Sequence, residues 1–173
     1  MRQIRAAKEQ AVDSHVVMQE DFAENFNLKH QNEVMSAHWV SNSVTLFTAV
    51  ISTKQGSTSY MVVSDEMCHD KFSVTAFNRA ILESAATSEL DIQPLHMFSD
   101  GAGSQFKNRF ILSQVAKPAL IHPHLRSLDW SFFGTAHGKG PVDGVGGTVK
   151  RAVWRRIMQG KVVVNNAHCT GVL

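Results

Sequence analysis

Two β-branched runs constrain the fold most. Residues 40–53 contain VTLFTAVIST and residues 59–64 read SYMVVS, with the short turn segment KQGST between them. β-Branched and aromatic side chains suit a pleated, half-buried surface. Two such runs around a Gly-bearing turn predict an antiparallel hairpin. Upstream, SHVVMQEDFAENF at residues 14–26 opens with an apolar run that ends in acids, as a buried strand does. The three segments predict a three-stranded meander, with Asp21 at or near the end of its first strand. Glu20 and Glu24 flank Asp21 and read as solvated surface acids.

The rest of the chain alternates. Residues 27–38 are polar, carry His30 and His38, and read as a loop. After DEMCHDK, Ser73 suits an N-cap, and Phe77, Ala80, Ile81, Leu82 and Ala85 recur at helical spacing. His69 and Asp70 read there as cap and turn residues. IQPLHMF at 92–98 is a short strand, weakened at Pro94 or beginning after it, and SDGAG places Asp100 at its C-terminal end. A helix over 107–115 and a strand over 125–133 follow, then a glycine-rich stretch, a basic helix and a weak VVV strand at 162–164. The order β-β-β-α-β-α-β-α is an α/β arrangement on a mixed sheet. Residues 1–13 read as a helical lead-in, 14–160 as the domain, and 161–173 as a truncated tail.

The glycine-rich stretch, GTAHGKGPVDGVGGTVKRA at 134–152, holds one carboxylate, Asp143. A run of glycine usually marks close backbone approach, because glycine is costly inside a helix. Lys150 lies seven residues after Asp143, so a helix puts both on one face. The other reading is a flexible loop leading into an ordinary helix. From Lys139 to Lys161 there are six cations and a single anion, although the whole chain carries only +2. A local basic face suits a polyanion; a solvated helix face is the plainer reading. His137, Lys139, Lys150 and Arg151 are the candidates for phosphate contact, with Gln105, Lys107 and Asn108 behind them.

Three aspartates therefore stand where sites are built: Asp21 after the first strand, Asp100 after the fourth, Asp143 at the last helix. Strand ends at a common edge converge on one cleft. Carboxylates brought together repel unless they hold cations, and Mg²⁺ takes carboxylate oxygens while keeping waters. Two such ions, about 3.5–4 Å apart, activate a nucleophile and stabilise a leaving oxygen.

Other chemistries lack their signatures. GTAHGKG has the wrong glycine spacing, and no Ser or Thr after its Lys, for a P-loop. No G-x-S-x-G elbow appears. Cys68 and Cys169 form no paired framework and read as reduced thiols in an intracellular protein. His122, His124 and His168 have no Cys-x₂-Cys companion, which argues against zinc. No apolar run reaches the length of a membrane span.

EDFAENF, FSDGAGSQFKNRF and FFGTAHGKGPVDGVGGTVKRA resemble the motifs of transposase cores of the DDE/DDD superfamily, and the element order resembles the ribonuclease H-like fold. The resemblance covers roughly residues 14–156. It implies that Asp21, Asp100 and Asp143 are the metal-binding catalytic acids, with two Mg²⁺ or Mn²⁺ ions as cofactor. It implies DNA strand cleavage and joining, in the nucleus or elsewhere in the cell. DNA is the implied partner, a homo-oligomer an option, a membrane not. The alternative is a domesticated, non-catalytic domain that binds nucleic acid or protein through the same surface.

Overall fold

The computed structural model describes residues 16–27, 43–88, 91–133 and 141–158. Strands β1 (Val16–Asn27), β2 (Ser43–Thr53) and β3 (Gly56–Ser64) form the expected antiparallel meander. Strands β4 (Leu95–Ser99) and β5 (Leu128–Phe132) extend it in parallel, giving the order β3-β2-β1-β4-β5. Helices α1 (Lys71–Thr87), α2 (Arg109–Ala116) and α3 (Pro141–Met158) complete a mixed α/β fold, and the element order is the expected one.

Strand alternation divides the sheet into two faces. On one face of β1 lie Val16, Met18, Glu20 and Phe22; on the other lie Val17, Gln19, Asp21 and Ala23. The first face meets α1 and the segment leading into α2. Phe47, Ala49 and Ile51 from β2, and Leu95 and Met97 from β4, are buried there against Phe77, Ile81, Leu82, Phe106 and Ile111. Each fully buried Leu, Ile, Phe or Met contributes about 1.5–3 kcal/mol. Phe22 sits at the centre of a ring cluster, 4.9 Å from Phe47, 6.1 Å from Phe77 and 4.3 Å from the stacked imidazole of His69.

α3 covers the opposite face, over β1, β2 and β3. Its approach depends on a missing side chain. A Cβ built on Gly146 stands 3.1 Å from the Cβ of Ala23 and 3.9 Å from a methyl of Thr48. The glycine run of the sequence is thus, at this position, a close-packing device.

Several local expectations are corrected. α1 is capped by Asp70, not Ser73: the Asp70 carboxylate accepts from the N–H groups of Phe72 (2.8 Å) and Ser73 (3.0 Å). Ser73 lies inside the first turn, with its hydroxyl donating to the carbonyl of Cys68 at 2.5 Å. α2 begins after Asn108 rather than at Lys107, with Asn108 as its cap. β3 begins at Gly56, whose φ of +149° is a glycine conformation, so the hairpin turn is only Lys54-Gln55. β4 begins just after Pro94. Glu20 is not a surface acid: it is fully buried, and the Asn78 amide of α1 donates to it at 3.3 Å. The side chain of Glu24, the lead-in helix, the 27–38 loop beyond Asn27 and the VVV strand lie outside the described residues.

Candidate metal centre

Asp21 is in the middle of β1, not at its end. Its setting is nevertheless that of a strand end. β1 pairs with β4 only from Val16 to Gln19, the last pair being Gln19 with Phe98. Beyond Gln19 it continues with β2 alone, through Asp21 opposite Thr48, to Asn27. The sheet therefore opens on the β4 side just before Asp21. The continuous pairing hid this from the sequence: Asp21 is flanked by residues that pair on one side only.

The second acid follows β4. The last pair of the two strands is Gln19 with Phe98; Asp21 lies two residues past Gln19 and Asp100 two residues past Phe98, so both leave the same end of the β1–β4 ladder. The loop after β4 is well tied. Asp100 Oδ1 accepts from the Ala102 N–H at 3.0 Å, the Phe133 N–H donates to the Ser99 carbonyl at 2.9 Å, and Trp130 Nε1 donates to Ser99 Oγ at 2.9 Å.

Asp143 comes from a third element, the first turn of α3. A carboxylate is favoured there by the unsatisfied N–H groups and the helix dipole. The Gly146–Ala23 contact, one turn on, seats this end of α3 against β1.

The electrostatics join the three. Asp21 is pushed up from 3.8 to about 6, first by burial, then by the charge of Asp100 and, more weakly, that of Asp143, against a lowering hydrogen bond from the Phe22 backbone. Three acids remote in sequence share one field centred on Asp21. Hard carboxylate oxygens in mutual repulsion fit a hard divalent cation. Among the described residues, no three or more His, Cys, Asp or Glu side chains are gathered closely enough to hold one ion. What the structure gives is Asp21 within the electrostatic reach of Asp100 and Asp143.

Glu20 belongs to the other face. Burial pushes its carboxyl well above the usual range, opposed by the Asn78 hydrogen bond and reinforced by Asp21, so it does not add to the site.

The cations divide. Lys150 and Arg151 both lie on α3. Arg151 is exposed, and its Nη2 donates to Thr148 Oγ1 at 3.2 Å. His137 and Lys139 lie outside the described residues. Asn108 is not a groove residue: its side chain accepts from Phe110 and Ile111 and donates to the carbonyls of Gly103 and Gln105, which uses the whole amide. Lys107 stands over the Phe132 ring at 5.8 Å. Cys68 is an exposed free thiol, pushed up chiefly by Asp70 and so a poor nucleophile.

Sequence reasoning missed Gln19. It is buried on the Asp21 face, and neither atom of its amide has a hydrogen-bond partner. Its place two residues before Asp21 was a usable signal, since alternation puts both on one face. No helix among the described residues is long and apolar enough to cross a membrane.

No curated protein and no solved structure matches the chain. A family model does, over residues 1–170, and the chain therefore belongs to the family described as Domain of unknown function (DUF8701).

Proposed function

We propose that this chain is a ribonuclease H-like, transposase-like domain that cleaves and joins DNA strands with two Mg²⁺ or Mn²⁺ ions. The observation that carries the reading is that Asp21, Asp100 and Asp143, from three separate parts of the chain, come close enough for the charges of the last two to raise the Asp21 carboxyl. The element order β-β-β-α-β-α-β-α, with acids on the first strand, after the fourth and at the last helix, is what such a domain requires.

In this reading Asp21 and Asp100 would hold the two ions, and Asp143 would complete the second. Bound there, the ions would supply charge stabilisation at phosphate and activation of the attacking oxygen. The protein's own part is to bring three carboxylates together: β1 carries Asp21, the segment after β4 carries Asp100, and α3, seated by its contact at Ala23, carries Asp143. Lys150 and Arg151 provide a grip on the DNA backbone, which carries no sequence information. His137 and Lys139 belong to the same proposed grip. A DNA substrate places the activity in the nucleus or elsewhere inside the cell.

The test is nicking of supercoiled plasmid by the whole chain. Wild type nicks with Mg²⁺ or Mn²⁺ and not in EDTA, while Asp21→Asn and Asp100→Asn do not nick. A wild type that is stabilised by metal yet never nicks would overturn the activity and favour the domesticated binding domain. DNA binding falls steeply with salt if the grip is on phosphate. Salt-insensitive binding would contradict that grip.

A further inference from the structure

We infer that Gln19 is a positioning residue of the Asp21 site, whose unused amide would turn to the Asp21 carboxylate and the hydration shell of a divalent cation once that cation is bound. The inference rests on the reading of Asp21 as a cation-holding carboxylate. Its own evidence is independent of that reading.

Gln19 is 1% exposed, and its Oε1 and Nε2 are both buried without a hydrogen-bond partner. Other buried amides of the chain are half satisfied. Asn78 gives its Nδ2 to Glu20 at 3.3 Å, and Gln114 gives its Nε2 to Thr75 at 2.8 Å. Among the described residues only Gln19 leaves both ends of a buried amide unused. A buried amide in that state opposes folding and needs a reason.

Position supplies the reason. Gln19 is the last β1 residue paired with β4, and its neighbours across the two adjacent strands, Val50 and Phe98, are buried and apolar. Neither of those two side chains can satisfy it. Asp21 follows on the same face about 6.6 Å along the strand, and side chains in strands lean along that direction. An amide offers two donor hydrogens and one acceptor oxygen. The donors suit a carboxylate oxygen. The acceptor suits a water of the cation, since Mg²⁺ retains several. Groups one step behind the ligands orient them, and their loss typically costs about 10–100-fold in metal affinity.

The experiment measures Mn²⁺ affinity of the whole chain from the resonance signal of free Mn²⁺, for wild type and Gln19→Met, with melting in EDTA recorded beside it. The methionine keeps the volume and removes the amide. The expected result is binding about 10–100-fold weaker, with a melting temperature in EDTA equal to or above that of wild type. Equal affinity in the two proteins would overturn the inference and leave the Asp21 reading standing. No Mn²⁺ binding by wild type would overturn both. Should Gln19→Met fold poorly, the side-chain N–H₂ resonances of Gln19 in the wild-type chain decide. They shift on Mg²⁺ addition and saturate with the metal affinity, or they stay in place and the inference falls.

Discussion

The two faces of the sheet are built to opposite rules, and Glu20 and Asp21 show it within one peptide. Glu20 points to the α1 and α2 side, is fully buried, and is matched to Asn78 among closely packed aromatic rings. Asp21 points to the α3 side, is half-buried, and shares its surroundings with two further acids. One face is closed by bulk. The other is lined by small residues, Ala23, Thr48 and Gly146, and holds Gln19, whose amide is unbonded at both ends, where Glu20 and Asn78 each use one end. The difference teaches where stability and chemistry reside. Well-packed apolar contacts hold the sheet from one side, which allows strained electrostatics on the other.

The largest expected effect breaks the closed face. Phe47 is fully buried, 5.5 Å from Phe77 and 4.9 Å from Phe22. Phe47→Ala should cost about 3–5 kcal/mol, read by denaturant unfolding. The protein that stays folded should retain its response to metal.

Gly146→Val strikes the other face. Extra atoms 3.1 Å from Ala23 force α3 away from β1, at a cost of about 1–3 kcal/mol. Unlike Phe47→Ala, it should also weaken metal binding, because it displaces the helix that carries Asp143. If the two variants behaved alike towards metal, the division of labour between the faces would fail.

Asp21→Asn should stabilise the metal-free chain. Asp21 lies at about 6 when folded against 3.8 when unfolded, so between those values the folded state binds more protons. Its contribution to stability is fully present below the unfolded value and lost as pH rises to about 6. After discounting for partial exposure, the loss is about 1–2 kcal/mol. Asparagine removes that slope, so the variant should melt higher than wild type at pH 7 in EDTA. The smallest effect on stability belongs to Arg151→Glu, within about 0.5 kcal/mol for an exposed residue. Its DNA affinity should nevertheless fall, equally for all sequences.

The closed face was the more legible one. VTLFTAVIST and SYMVVS announce a hairpin through β-branching, and Phe77, Ile81 and Leu82 announce α1 through spacing, because those signals are local. The continuation of β1 past Glu20 was not legible, since QEDFAEN opens on three polar residues and shows no polar/apolar alternation, and so reads as a strand running out. Nor was the burial of Glu20, whose partner Asn78 lies 58 residues away. The cap of α1 was half legible: Asp70 read as a cap or turn residue, while Ser73, three residues on, competed for the N-cap. Of the candidate site, the three aspartates were readable as types at plausible positions. The parallel ladder that ends two residues before both Asp21 and Asp100, and the orphaned amide of Gln19, exist only in the assembled sheet.

The central proposal is that Asp21, Asp100 and Asp143 together would hold two divalent cations, with Asp21 indispensable to both. Counting bound Mn²⁺ by equilibrium dialysis tests it most directly. The account predicts two ions for wild type, one at most for Asp100→Asn and for Asp143→Asn, and none for Asp21→Asn. A wild-type chain that binds no Mn²⁺, or an Asp21→Asn chain that binds as many ions as wild type, would contradict it.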